Sequence, residues 1–410
     1  MRKVLAVLLL SGCTVIPSVS EGSGRAGRAA AQIPRYARDD IADPALQHAV
    51  WAIDIEDDSG HILYQRNAHT LVIPASNRKL FAAATVANCL GLDHQFATEL
   101  WLDGRDLVLR GGGDPSLGGR YYSRDLTFAP FIEALQRRGI TSIDGDLIAD
   151  VSLFDRVTIP PSWKVGFLGE TYAVPVDALA YNENIDDSRA ATDAALHAAA
   201  ALRFALAQSG IAVRGATRVN TTPRAWQERI ATIESPPIHQ LLTTVLKNSQ
   251  NLYTDMLFKD LSANGTTPAS FEASAEIERM FLTTEAGVDG SEFRFVDGCG
   301  LAVDDFVTPA AIVKLLRWMN APSRRGALWD LYSTPGQEGT LHTRLTELAP
   351  RVRAKTGTLG GVNALSGIIA MPDGSWRYFA IVANHHTASS AAANAAIDAI
   401  VRAAASVEQR

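Results

Sequence analysis

Ser76 is the one serine in the chain with a lysine three residues later, in Ser76-Asn77-Arg78-Lys79. A serine hydroxyl is a poor nucleophile until a base sits beside it. Residues i and i+3 share a helix face, so a helix beginning here aims Lys79 at the Ser76 hydroxyl. A lysine in a dry cleft beside other cations sheds its proton near neutral pH and then serves as that base. Two later segments carry the other parts of an acyl-transfer site. Ser249-Gln250-Asn251 offers a hydroxyl to relay a proton and an amide to donate to a substrate carbonyl. Lys355-Thr356-Gly357-Thr358 offers an ammonium and hydroxyls suited to a carboxylate, and a glycine that lets a ligand or another backbone approach. Taken singly, each segment also fits a plain role. Ser76 could cap a helix with Lys79 in solvent, Ser249 and Asn251 could cap the next helix, and Lys355 could lie on an exposed strand face.

The elements that must hold these parts follow from patterning. Trp51, Ile53 and Ile55 alternate with small or acidic residues, Asp57-Asp58-Ser59-Gly60 makes a turn, and Ile62-Leu63-Tyr64 starts a second strand. Pro74 suits entry to an alanine-rich helix reaching about Leu90. Residues 96–233 alternate strand-like runs with glycine turns, as at Leu107-Val108-Leu109 before Gly111, and carry a long alanine-rich helix near 190–208. Helical patterning resumes through Leu241, Leu242, Val245 and Leu246, with further helices near 268–286 and from Thr308 to Met319. Strands are expected at 353–358, 362–371 and 376–384, before a C-terminal alanine-rich helix. The expectation is one sheet with helices at both chain ends, interrupted by an inserted block. No internal repeat is visible.

The chain of 410 residues has room for two or three domains, and 47% hydrophobic with 20% charged residues is ordinary globular composition. A formal charge of −6 gives no reason to expect nucleic-acid binding. No His/Cys cluster has zinc spacing, so neither metal nor cofactor is expected.

Arg2 and Lys3 precede an apolar run from Val4 to Leu10, too short to span a bilayer and suited to an export signal. Leu10-Ser11-Gly12-Cys13 resembles a bacterial lipobox, which implies cleavage before Cys13 and its lipidation. Acyl chains contribute about 0.8 kcal/mol per buried CH₂, so two or three would hold the protein on a membrane durably. Residues 13–35 then form a flexible tether. Thr14 after the cysteine implies, by resemblance to enterobacterial sorting, the outer membrane facing the periplasm of a Gram-negative bacterium. Cys89 and Cys299 could pair in an oxidising compartment, but Cys89 lies in an apolar helical stretch and reads as a small buried thiol.

The order S-x-x-K, S-x-N, K-T-G is the signature of penicillin-binding proteins and class A β-lactamases. With Pro74-Ala75 before Ser76, Gly112-Gly113-Asp114-Pro115, Lys247-Asn248 before Ser249, Asp297-Gly298-Cys299-Gly300-Leu301 and Gly339-Thr340-Leu341, the chain resembles the peptidase S13 family. These are class C low-molecular-mass penicillin-binding proteins, D-alanyl-D-alanine carboxypeptidase/endopeptidases. The resemblance implies a mixed α+β or α/β penicillin-binding fold of the DD-peptidase/β-lactamase type: an antiparallel sheet flanked by helices, with one inserted α+β domain. It implies a peptidase domain over 36–95 and 234–410 and an inserted domain over 96–233. The family often nests a third domain in the insertion; here Tyr181-Asn182-Glu183-Asn184-Ile185 runs almost directly into the helix near 190, leaving no room for one.

The resemblance also implies roles. Ser76 is acylated, Lys79 is its base, and Ser249 and Asn251 form the second motif. Lys355, Thr356, Gly357 and Thr358 hold the peptide's terminal carboxylate, with the Thr358 N–H completing an oxyanion hole. Peptidoglycan stem peptides are the implied substrates, and β-lactams the implied covalent inhibitors. Cys299 departs from the serine usual in that turn. Two other readings remain: a β-lactamase-like hydrolase, disfavoured by the long spacing between the first two motifs and by the lack of an E-x-x-x-N arrangement, and a catalytically silent lipoprotein.

Overall fold

The computed structural model describes residues 44–122 and 127–406; Cys13, the expected export signal and the tether lie outside them. β1 (Val50–Asp57) turns into β2 (Ile62–Arg66), the reversal held by Asp57 Oδ1 accepting from Ser59 N and His61 N. A single 3₁₀ turn, Ala75–Asn77, leads into α1 (Arg78–Cys89), so the helix entry is tighter than expected. Cys89 is exposed, not buried as expected: the covered stretch ends at Val86 and the helix outlasts the core beneath it. Both described cysteines are free thiols.

Next come β3 (Ala97–Asp103), β4 (Asp106–Arg110) and β5 (Leu147–Asp150). The small hairpin β6 (Ile185–Asp186) and β7 (Arg189–Ala190) follows, then α2 (Ala194–Gln208), β8 (Thr217–Asn220) and β9 (Glu228–Glu234). The five long strands form one mixed sheet in the order β8-β5-β4-β3-β9, parallel across β8, β5 and β4 and antiparallel beyond. In the β6–β7 hairpin, Asp187 (φ 41°) and Ser188 (φ 68°) are both left-handed, the backbone a two-residue turn demands.

The chain then builds α3 (Ile238–Asn248), α4 (Asn251–Asp260), α5 (Phe271–Thr284) and α6 (Pro309–Met319). It ends on β10 (Val352–Leu359), β11 (Val362–Ala370), β12 (Trp376–Asn384) and α7 (Ser390–Ser406). These strands join the first hairpin in an antiparallel sheet ordered β10-β11-β12-β1-β2. Chain start and chain end therefore share one sheet, and everything between leaves from it and returns.

Alternation sorts the faces of that sheet. Trp51, Ile53 and Ile55 join Val352, Leu365, Phe379 and Ile381 in a core closed by Ile397, Ile400 and Val401 of α7. On the opposite face, Ala52, Ala364, Ala380 and Val382 meet α1 and α6 through Phe81, Ile312 and Leu316. This second core continues without a break through α3 and α4 into Leu107, Leu109 and Leu147 of the mixed sheet. The block between β3 and β9 is thus packed on the helices that carry the motifs. Among the described residues no helix is long and apolar enough to cross a membrane.

Candidate active site

The three motifs meet where α1 begins, where α3 breaks into α4, and along the outer edge of β10. Ser76 sits in the 3₁₀ turn, one turn before Lys79, and their side chains lie 3.0 Å apart. Ala75 just before it holds φ 47°, a strained backbone that turns the serine out of the helix line. Gly300 (φ 86°) supports this corner from behind: a Cβ there would stand 2.1 Å from the Ala75 carbonyl oxygen.

Lys79 is fully buried. Besides Ser76, its Nζ donates to Asn251 Oδ1 and to the Cys299 carbonyl, each at 2.6 Å. Burial holds this amine below the usual lysine range, with Arg78 pushing the same way; Cys299, Asp255 and Asp297 push back.

Ser249 ends α3 in the left-handed region (φ 59°), and this kink turns its side chain toward β10. The cap of α4 falls to Gln250, whose Oε1 accepts from Leu252 N at 2.8 Å, which frees Ser249 and Asn251 for the groove. Asn251 is more committed than its expected role implies. Its Oδ1 holds Lys79, and its Nδ2 already donates to the Tyr172 carbonyl at 2.7 Å.

On β10 the glycine has a plain reason: a Cβ at Gly357 would lie 2.9 Å from Pro74 O and 3.2 Å from Ser76 N. Ala354 N donates away from β11 to Ser333 O, so by the two-residue alternation Thr356 and Thr358 turn their N–H groups to the groove as well. Lys355 is fully buried, its Nζ donating to Ser249 Oγ and to the Thr356 carbonyl, each at 2.8 Å. Burial, and then the nearby Lys79, hold this second amine well below the usual range.

The result is a groove of about 420 Å³. Ser76, Ser249, Asn251, Thr356 and Thr358 form its polar side, and Phe167, Tyr172, Leu301 and Leu359 its apolar wall. Phe167 and Tyr172 come from the long block between β5 and β6, where no motif marks them. Trp163, nearby, donates to Asp297 at 2.8 Å and ties that block to the turn carrying Cys299.

Arg78, inside the first motif, faces the core instead of the groove. Its guanidinium makes paired bonds to Glu278 at 2.8 and 2.7 Å, donates to Asp297 O at 2.8 Å, and lies 4.0 Å from the Phe295 ring centre. One cluster of metal-type donors occurs among the described residues, Asp255, Asp297 and Cys299. Asp297 is already spent on Gly300 N, Ala302 N and Trp163 Nε1, which leaves the cluster poorly suited to an ion.

Comparison with known proteins finds the same fold. The profile of the "D-Ala-D-Ala carboxypeptidase 3 (S13) family" matches residues 37–189 and 182–407, two stretches that meet at the β6–β7 hairpin. The chain is 29% identical over 439 residues to a D-alanyl-D-alanine carboxypeptidase of an Actinomadura species, covering 85% of this chain and 80% of the relative. The crystal structure of penicillin binding protein 4 (dacB) from Haemophilus influenzae superposes with a TM-score of 0.76 at 22% identity, covering 86% of this chain and 94% of that one. A second structure of that protein, complexed with a β-lactam, superposes with a TM-score of 0.69 at 22% identity, covering 87% and 94%. The penicillin-binding fold is therefore shared.

Proposed function

The chain belongs to the D-Ala-D-Ala carboxypeptidase 3 (S13) family, which makes it a serine-type D-Ala-D-Ala carboxypeptidase, and on that premise we propose that it works through an acyl-enzyme on Ser76. The observation that carries this is the setting of Lys79. A neutral primary amine has two N–H groups and one lone pair. Asn251 Oδ1 and the Cys299 carbonyl are pure acceptors and take both N–H groups, which leaves the lone pair for the Ser76 hydroxyl proton.

In the proposed reaction the terminal carboxylate of the stem peptide lies against Lys355, Thr356 and Thr358, across Gly357. Lys79 takes the Ser76 proton as the oxygen attacks the carbonyl carbon of the penultimate D-Ala. The oxyanion is met by the Ser76 and Thr358 N–H groups, a contribution typically worth about 3 kcal/mol per donor. Ser249, held by Lys355, relays that proton from Lys79 to the leaving amine, so the serine keeps its own proton count and Lys79 is neutral again. Water then attacks the ester, the neutral Lys79 accepts its proton and returns it to the departing Ser76 oxygen, and the free serine is restored. A D-Ala–diaminopimelate cross-link presents the same scissile bond with a side-chain amine as leaving group, so endopeptidase action belongs to the proposal. So does acylation by penicillins, supported by the β-lactam complex of the Haemophilus protein.

The proposal also includes export and lipidation at Cys13, in the periplasm of a Gram-negative cell, and the division into a peptidase domain and one inserted domain over 96–233. The mixed sheet and the two-residue turn at Asp187-Ser188 support that division. Digestion of purified peptidoglycan, followed by mass analysis of the products, tests the activity. Release of D-alanine from pentapeptides, or loss of cross-linked dimers, is the expected result; unchanged products would sink the reading.

A further inference from the structure

Beneath the groove lies a carboxylate that the proposed reaction leaves unused. Asp255 follows Asn251 by one turn of α4, so the two side chains share a face. It is fully buried. Its Oδ1 accepts the Gly298 N–H at 2.8 Å, and the Cys299 thiol lies beside the carboxyl. The turn is pressed hard against α4 here: a Cβ on Gly298 would stand 2.7 Å from Phe258 Cβ and 3.1 Å from Asp255 Oδ1.

Two peptide units further along lies the group that matters. Cys299 carries the carbonyl that accepts from Lys79 Nζ. Both acceptors of that amine, Asn251 Oδ1 and Cys299 O, therefore trace back to one face of one helix. The first is borne by α4 directly; the second belongs to the Cys299–Gly300 peptide, whose N–H Asp297 Oδ1 holds at 2.6 Å within the turn that Asp255 ties to α4 at Gly298. Without the fastening the amine is free to rotate and turn an N–H toward Ser76, the wrong polarity for a base.

Asp297 and Cys299 on the turn, and Lys79 on α1, face the Asp255 carboxyl, with Arg78 behind Lys79 and Asp305 behind Asp297. Burial and the nearby Asp297 push Asp255 up to about 7. Near neutrality a share of it is thus uncharged, which weakens its pull on the Lys79 proton.

We propose that Asp255 is a positioning residue for acylation: it anchors the turn to α4 at the Gly298 N–H so that the Cys299 carbonyl and the Asn251 side chain hold the Lys79 amine with its lone pair on Ser76. The inference rests on the assignment of Lys79 as base. The test compares Asp255→Asn, which keeps an acceptor for Gly298 N, with Asp255→Leu, which fills the space without one. Stopped-flow acylation by a fluorescent penicillin separates the binding step from the bond-forming step. The asparagine variant is expected within about threefold of wild type, because the acceptor is kept. The leucine variant is expected to lose at least about tenfold in the acylation rate constant with binding unchanged, since a misplaced catalytic group costs rate before affinity. Where leucine does not fold, Asp255→Ala makes the same comparison. A folded variant lacking the acceptor that acylates at the wild-type rate overturns the anchoring role, and so does an asparagine variant as slow as leucine. Lys79→Ala serves as the separate control: wild-type acylation there defeats the base assignment itself, whatever Asp255 does.

Discussion

Lys355 Nζ lies 2.8 Å from Ser249 Oγ, joining the third motif to the second across the floor of the groove. The ammonium also donates to the Thr356 carbonyl. No carboxylate pairs with it among the described ion pairs, although it is fully buried. Burial disfavours the charge on this amine, but in its ammonium form one N–H is spare, and an arriving carboxylate supplies the counter-charge that favours that form. Lys355→Ala is expected to weaken capture of substrates ending in a free carboxylate by about 10- to 100-fold, the scale of a charged hydrogen bond. A matched peptide ending in a carboxamide should lose much less. Equal losses for both would remove Lys355 from carboxylate recognition.

The base assignment fixes the sign of the pH profile. Only the neutral amine accepts the Ser76 proton, so acylation must rise with pH through the folded pKa of Lys79. Burial holds that pKa below the ordinary lysine value near ~10.4. The midpoint of the rise should accordingly fall below pH ~10.4. A midpoint at or above that value, with the protein folded, would contradict an amine tuned by its surroundings.

Arg78 and Glu278 form an ion pair in which both side chains are essentially out of solvent. Removing one partner of such a pair strands a buried charge, at a cost of about 3–5 kcal/mol. Arg78→Met is expected to lose stability on that scale in denaturant unfolding. Adding Glu278→Gln should recover a good part of it. A single variant as stable as wild type would mean the pair holds nothing together.

This pair also marks where sequence patterning stops being informative. Alternation in Trp51, Ile53 and Ile55, and in the strands after Val352, is enough to place the sheet, because a strand with one face on a helix must repeat every two residues. The three motifs give the corners of the groove for a similar reason: each chemical task demands particular atoms. Arg78 carries no such mark. Between Asn77 and Lys79 it reads as one more surface cation, and only Glu278, far along the chain, makes its burial tolerable. The occupied amide of Asn251 is equally invisible, since Tyr172 O arrives from the block between β5 and β6. Cys89 misleads for the opposite reason: its apolar neighbours point to burial, but nothing covers the last turn of α1.

Asp260 is buried with no stabilising contact, and burial alone pushes its carboxyl up to about 7. An unfolded aspartate titrates near ~3.9. Below that value both states are protonated and the group is neutral in its effect. Between the two values the unfolded chain has released a proton that the fold retains, so the penalty on stability grows as pH rises and levels off above about 7. Asp260→Asn should therefore melt close to wild type at pH ~4 and progressively above it from pH ~5 to ~8. A difference that does not change with pH would contradict the shift.

The central claim is that Ser76 becomes covalently acylated. Intact-protein mass spectrometry after brief exposure to benzylpenicillin, with peptide mapping of the adduct, tests it most directly. The account predicts a single acyl group on the peptide carrying Ser76, and no adduct on Ser76→Ala with its melting temperature retained. An adduct that persists in that variant, or that maps to another side chain, would contradict it.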